Sequence, residues 1–201
     1  MSLIKTGDWD KLNRFLTVPL LTKTINKFAE VGTKRAGLLV VRNIRMKMRS
    51  VSSPPNSPIT VRRKGSTKPW IDEGDMIRAV TSIHIAPLQI WVGVPAGKTD
   101  RETGMSLARI ARVLEGGEIG AEPKATVIKP KGARALFVPL KRRVRPKDPG
   151  LEYGEDFILV QRVRIRPRPV IGPAVKESKE AVLKIYEESV AAGMRALLGV
   201  R

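Results

Sequence analysis

"TSIHIAPLQIWVGV", residues 81–94, decides the fold. From Thr81 to Ile85 the residues alternate with the two-residue period of a half-buried strand. Ala86-Pro87-Leu88 reads as a turn, and Gln89 to Val94 as a second strand. Two strands joined this closely form a β-hairpin. Helical patterns stand on both sides of it, so the expected class is α+β rather than all-β or a wound parallel sheet.

Upstream, Asp72 or Asp75 is placed to cap a short helix running to about Val80. Before it, residues 20–48 read as a long helix, with Leu21, Ile25, Phe28, Gly32, Ala36 and Leu39 at spacings of three and four. Its basic end, Arg42, Arg45, Lys47 and Arg49, suits a helix C-terminus. Residues 8–16 read as a further short helix capped by Asp8, and Pro19 restarts the chain as a first-turn residue.

Downstream, Met105 to Leu114 forms a middle helix with Leu107, Ile110, Ala111 and Leu114 on one face, stopped by Gly116-Gly117. Residues 118–134 read as irregular. Ala135 to Leu140 and Asp156 to Ile165 read as two more strands, with Pro139 favouring an edge or a strand end. Residues 173–198 read as the last helix, burying Val175, Val182, Tyr186, Val190, Met194, Leu197 and Leu198. The expectation is one α+β domain over residues 1–201. It has a mostly antiparallel sheet of about four strands, flanked by a long N-terminal helix, a middle helix and a C-terminal helix, with long basic loops. Residues 50–69, rich in proline and serine without an apolar face, are expected as a projecting arm, and residues 141–154 as a basic loop.

The chain has 201 residues, with 38 Lys and Arg against 19 Asp and Glu, a formal charge of +19. Such an excess attracts polyanions, nucleic acid first and acidic protein surfaces second. Aromatic content is only 4%, so the core rests on Leu, Ile, Val and Ala. No apolar run is long enough for a membrane span, and the first residues lack a signal-peptide layout. The absence of cysteine excludes disulfides, thiolate metal sites and a Cys nucleophile, and suits a cytoplasm or a particle assembled there.

Candidate chemistry is sparse. His84 is the only histidine and lies in a strand, without marked Ser and Asp partners or further metal ligands. Asp72, Glu73 and Asp75 are explained by a helix N-terminus. "GGEIG", residues 116–120, follows a helix instead of opening one after a strand, which is not a dinucleotide fingerprint. No enzyme activity, cofactor or metal is therefore expected.

The basic segments are the candidate sites: Arg62, Arg63 and Lys64 in the arm, Lys141, Arg142, Arg143 and Arg145 in the loop, and Arg162, Arg164, Arg166 and Arg168 at alternate positions. Alternating strand residues share one face about 7 Å apart, a row that can follow a phosphate backbone. No aromatics interleave to stack bases, and no zinc-finger or RNP motif is present, so sequence-specific readout is not expected. The row either contacts DNA or faces a protein partner.

Three stretches in order carry a resemblance. "PWIDEGDMIRAVTSI", residues 69–83, is similar to "P-L-x-D-T-G-x-L-x-x-S-I", with Asp72 and Gly74 in place and Ser82-Ile83 closing it. "WVGVPAG…LARIARVLEGGE", within residues 91–118, is similar to "V-G-(loop)-Y-A-x-I-H-E-x-G", with Ile110-Ala111 and Leu114-Glu115 in the Tyr-Ala and His-Glu places. "KPKGARALFVPL…FILVQRVRIRPRPVIGPA" is similar to "K-P-K-x-x-K-A-L-x-F" followed by "V-x-I-P-x-R-P-F-L-G". Together, over roughly residues 69–198, they resemble the tailed-bacteriophage virion-morphogenesis proteins, known as tail-completion, neck or head–tail joining proteins.

The resemblance implies an α+β structural protein without catalysis. It implies an oligomeric ring, six-fold in the family, at the virion neck, assembled in the host cytoplasm. The implied partners are other copies of the chain, a head-side portal or adaptor protein, a tail-tube or tail-terminator protein, and the genomic DNA passing through the channel. Most of the arginines from 162 to 168 would then face protein, because a channel that releases DNA should not grip it. The alternative is a non-sequence-specific nucleic-acid-binding protein.

Overall fold

Val18–Ser50 form helix α1, 33 residues long, with Lys47 and Arg49 in its last turn. The computed structural model describes residues 18–118 and 121–198, so the expected helix over 8–16 and the side chains of Leu197 and Leu198 lie outside the described part. The buried stripe of α1 is Ala29, Thr33, Ala36, Val40, Ile44 and Met48. It is rotated from the expected stripe and shares with it only Ala36 and Gly32, which is also buried. Thr33 is tolerated there because its hydroxyl donates to the Ala29 carbonyl at 2.8 Å.

The elements that follow are α2 (Pro58–Lys64), α3 (Asp75–Ala79), β1 (Thr81–Ala86), β2 (Gln89–Gly93), α4 (Leu107–Glu115), β3 (Thr126–Ile128), β4 (Leu136–Pro139), β5 (Phe157–Val160), β6 (Val163–Ile165), α5 (Ile171–Glu177) and α6 (Lys179–Leu198). The class is α+β with antiparallel strands and long helices near both ends. Where one sheet was expected, the described strands form three two-stranded ribbons, β1–β2, β3–β6 and β4–β5. The stretch read as one strand over 156–165 is two, interrupted at Gln161-Arg162 and paired to different partners. The β4–β5 ribbon sets Phe137 opposite Leu159 and Pro139 opposite Phe157, and the rings of Phe137 and Phe157 stack at 4.7 Å. The stretch read as irregular supplies β3, which pairs with β6 so that Val127 faces Arg164.

The chain divides into two compact units. One comprises residues through Val41, residues 82–92, and residues from Glu177 onward; the other comprises 42–81 and 93–176. In the first unit, small residues let elements close on α1. A Cβ at Gly193 of α6 would lie 2.7 Å from the Phe28 ring, and one at Gly37 would collide with Ile90 of β2. Larger residues there would force the elements apart.

In the second unit, α2 lies within the segment expected as an arm. Its signals are local: Ser57 accepts from the Thr60 N–H at 3.2 Å, Pro58 opens the helix, and Gly65 closes it at φ 69°. The Asn56 side chain donates to the Ser66 and Lys68 carbonyls, each at 3.1 Å, and ties the segment into a closed loop. Helix α3 is preceded by Gly74 as N-cap without a side-chain cap bond, so neither Asp72 nor Asp75 caps it as expected. The expected last helix is instead α5 and α6, separated at Ser178. Among the described residues, no helix is long and apolar enough to cross a membrane.

Candidate basic interface

The end of α4 organises the second unit. Gly116, at φ 84°, reverses the chain, and the Gly117 N–H returns to the Arg112 carbonyl at 3.0 Å. Three consecutive residues then bind other segments. The Leu114 carbonyl accepts the Arg168 N–H at 2.6 Å, and the Gly116 carbonyl accepts the Lys124 N–H at 2.9 Å. The buried Glu115 carboxylate accepts the N–H groups of Val170 and Ile171, both at 2.7 Å, and of Gly172 at 3.3 Å. It thereby satisfies the orphan donors at the start of α5. An acidic residue in a helix's last turn opposes the helix dipole. That position is the sequence signal that could have marked Glu115; it stood only as part of a motif.

Arg168 is not an exposed site. Its side chain is buried, Nε donates to the Pro54 carbonyl at 2.7 Å, and Nη2 donates to the Pro55 carbonyl at 2.8 Å. Burial, reinforced by the nearby Arg166 charge, lowers its proton affinity. Its own carbonyl accepts the indole N–H of Trp70 at 3.0 Å. Only Arg164 lies in β6, Val163–Ile165, so strand alternation does not set Arg162, Arg166 or Arg168 on one face with it.

The loop and arm residues mostly pair with each other's neighbourhoods. Arg142 bonds Asp72 at 2.5 Å and Glu73 at 2.6 Å, and also donates to the Arg63 and Lys64 carbonyls at the end of α2. A planar fork is suited to such a four-way clamp. Arg63 pairs with Glu102 at 3.1 Å, Lys64 approaches Asp72 at 3.8 Å, and Lys141 pairs with Asp156 at 2.7 Å. Arg62 reaches the Glu155 carbonyl at 3.5 Å. Asp75 binds Arg78 at 2.6 Å and Arg101 at 3.4 Å, so the acidic cluster at 72–75 is held by arginines.

Arg63, Arg142, Arg143 and Arg145 share an open cleft with Glu73, Glu102 and Phe137. Arg143 and Arg145 use their backbone N–H groups, on Glu102 at 3.2 Å and on Asp148 at 2.7 Å, and leave their guanidinium groups exposed. Arg162, Arg164 and Arg166 are likewise exposed, with no partner among the described residues. The basic excess is therefore unevenly spent: the second unit carries 27 Lys and Arg against 12 Asp and Glu, the first 11 against 7.

Burial pushes the Glu102 carboxyl up, but the Arg143 N–H and the charges of Arg63 and Arg142 outweigh it and hold it below its ordinary value. Asp156 is also held low, chiefly by its bond to Lys141. Carboxylates lowered on folding stabilise the fold above their unfolded range and lose that contribution as pH falls through the folded value. Acidification from about pH 5 to pH 3 should therefore free residues 141–148, read as lost hydrogen-exchange protection corrected for intrinsic rates. Arg142→Ala should loosen the same residues at pH 7. Unchanged protection in both cases would show that the clamp does not hold the loop.

The chain matches no protein-family model, no curated protein and no solved structure.

Proposed function

We propose that the chain is a structural protein of a tailed-phage virion. Copies of it form a ring at the neck that completes the tail and joins it to the head around the DNA channel. One observation carries this reading: the three separated stretches that resemble the virion-morphogenesis proteins meet in space. Trp70 of the first donates to Arg168 of the third, and Glu115 of the second accepts from Val170, Ile171 and Gly172 of the third. Residues spread over a hundred positions thus hold one another within one unit, which supports reading the three stretches together. Their polar groups are spent on backbone partners, a structural use.

In this reading the partners are other copies, six in the ring, a head-side portal or adaptor protein, and a tail-tube or tail-terminator protein. The strongly basic second unit lies toward acidic neighbours or toward DNA. The purified chain should form closed rings of about six copies, seen by light scattering and electron microscopy. A 22.2 kDa monomer at every soluble concentration would count against the reading.

The unpaired Arg162, Arg164 and Arg166 favour a second reading, non-sequence-specific nucleic-acid binding. Its mark is tight duplex binding by the isolated chain with a steep salt slope. Reversing these three charges would lower that slope by about 0.9 for each phosphate no longer neutralised. Weak binding that is indifferent to them leaves the neck reading alone.

A further inference from the structure

We infer that the β1–β2 hairpin is the surface through which one copy of the chain docks on another; this rests on the self-assembling ring proposed above. Between Arg78 and Lys98 no residue carries a formal charge at pH 7, the longest such run in the sequence. The hairpin occupies its centre and is exposed. Ile83 is 45%, Ile85 65%, Leu88 43% and Trp91 38% accessible. It is a two-stranded ribbon, so each strand keeps an edge without a neighbour among the described residues.

Exposed edges are ordinarily blunted by charged side chains or bulges. Here the strands carry neither Lys nor Glu, and the one proline, Pro87, sits in the turn. Leu88 stands at φ 65°, a left-handed conformation that favours glycine or asparagine. An apolar side chain kept exposed at a strained turn is more readily explained by contact than by folding.

Charge selects the occupant. A second copy brings the same +19, so two copies repel wherever their basic surfaces meet. Setting the uncharged hairpin of one copy against the next, head to tail as a ring requires, buries no unpaired cation on the hairpin's side. A partner with an acidic surface is better served by the basic second unit. Large apolar residues and open edges suit a protein neighbour that adds strands or covers the rings.

The chain has no cysteine, so Ile85→Cys supplies a single thiol on an exposed side chain, and Val127→Cys, 49% accessible on β3, is the reference. Alkylation of each variant is followed across the concentration range of assembly. The thiol of Ile85→Cys should react about tenfold more slowly once copies associate, while that of Val127→Cys keeps its rate. Ile85→Lys, with an unchanged melting temperature, should need at least about tenfold more protein to assemble. Rings that leave the hairpin thiol as reactive as the reference thiol, or Ile85→Lys assembling at the wild-type concentration, overturn the hairpin contact and leave the ring intact. A wild-type chain that never associates removes both.

Discussion

Glu115→Ala should lower the stability of the second unit by about 3–5 kcal/mol, among the largest effects of any single substitution in the chain. The carboxylate takes three backbone N–H groups at the start of α5, and Val170 and Ile171 are 0% and 3% exposed. Water cannot replace the lost acceptor, so the donors bear their full desolvation penalty. Glu115→Gln should cost less, about 1–2 kcal/mol, because an amide oxygen can still accept from Val170 and Ile171. Its NH2 would then face the Gly172 N–H, donor against donor. Urea unfolding gives the energies, and hydrogen exchange at residues 170–172 gives the place. A loss below about 0.5 kcal/mol for the alanine variant would mean that the capping bonds contribute nothing net.

How much of this was legible depends on the range of the cause. Helix α1, the β1–β2 hairpin and the stop at Gly116 follow from neighbours within a few residues, and the sequence reading places them. Helix α2 escaped that reading because it has no apolar face and buries no residue. Its signature is the Ser57 cap with Pro58 behind it, which is local chemistry of another kind. The ribbons escaped because pairing is non-local: nothing near Val163 states that it faces Ile128. Arg142 shows the same limit. Its charge placed it among surface candidates, yet its carboxylate partners lie 69 and 70 residues away.

Arg168→Ala should cost about 3 kcal/mol and open the segment around Pro54 and Pro55, although alternation grouped this residue with three arginines whose replacement should cost under about 0.5 kcal/mol each. The guanidinium is buried and bonds two carbonyls, so its charge is met by dipoles and not by a carboxylate. Proline residues offer no N–H, so this half-buried segment is tied to the unit through its carbonyls, which take the Arg168 donors. Arg168→Lys should recover only part of the loss, because a single ammonium lacks the planar fork that reaches both oxygens. Limited proteolysis at residues 50–56 reports the opening. Partner binding per folded molecule separates the two kinds of arginine: it should fall when Arg164 is changed and hold when Arg168 is. A fall at Arg168 with the fold unaltered would return that residue to the interface.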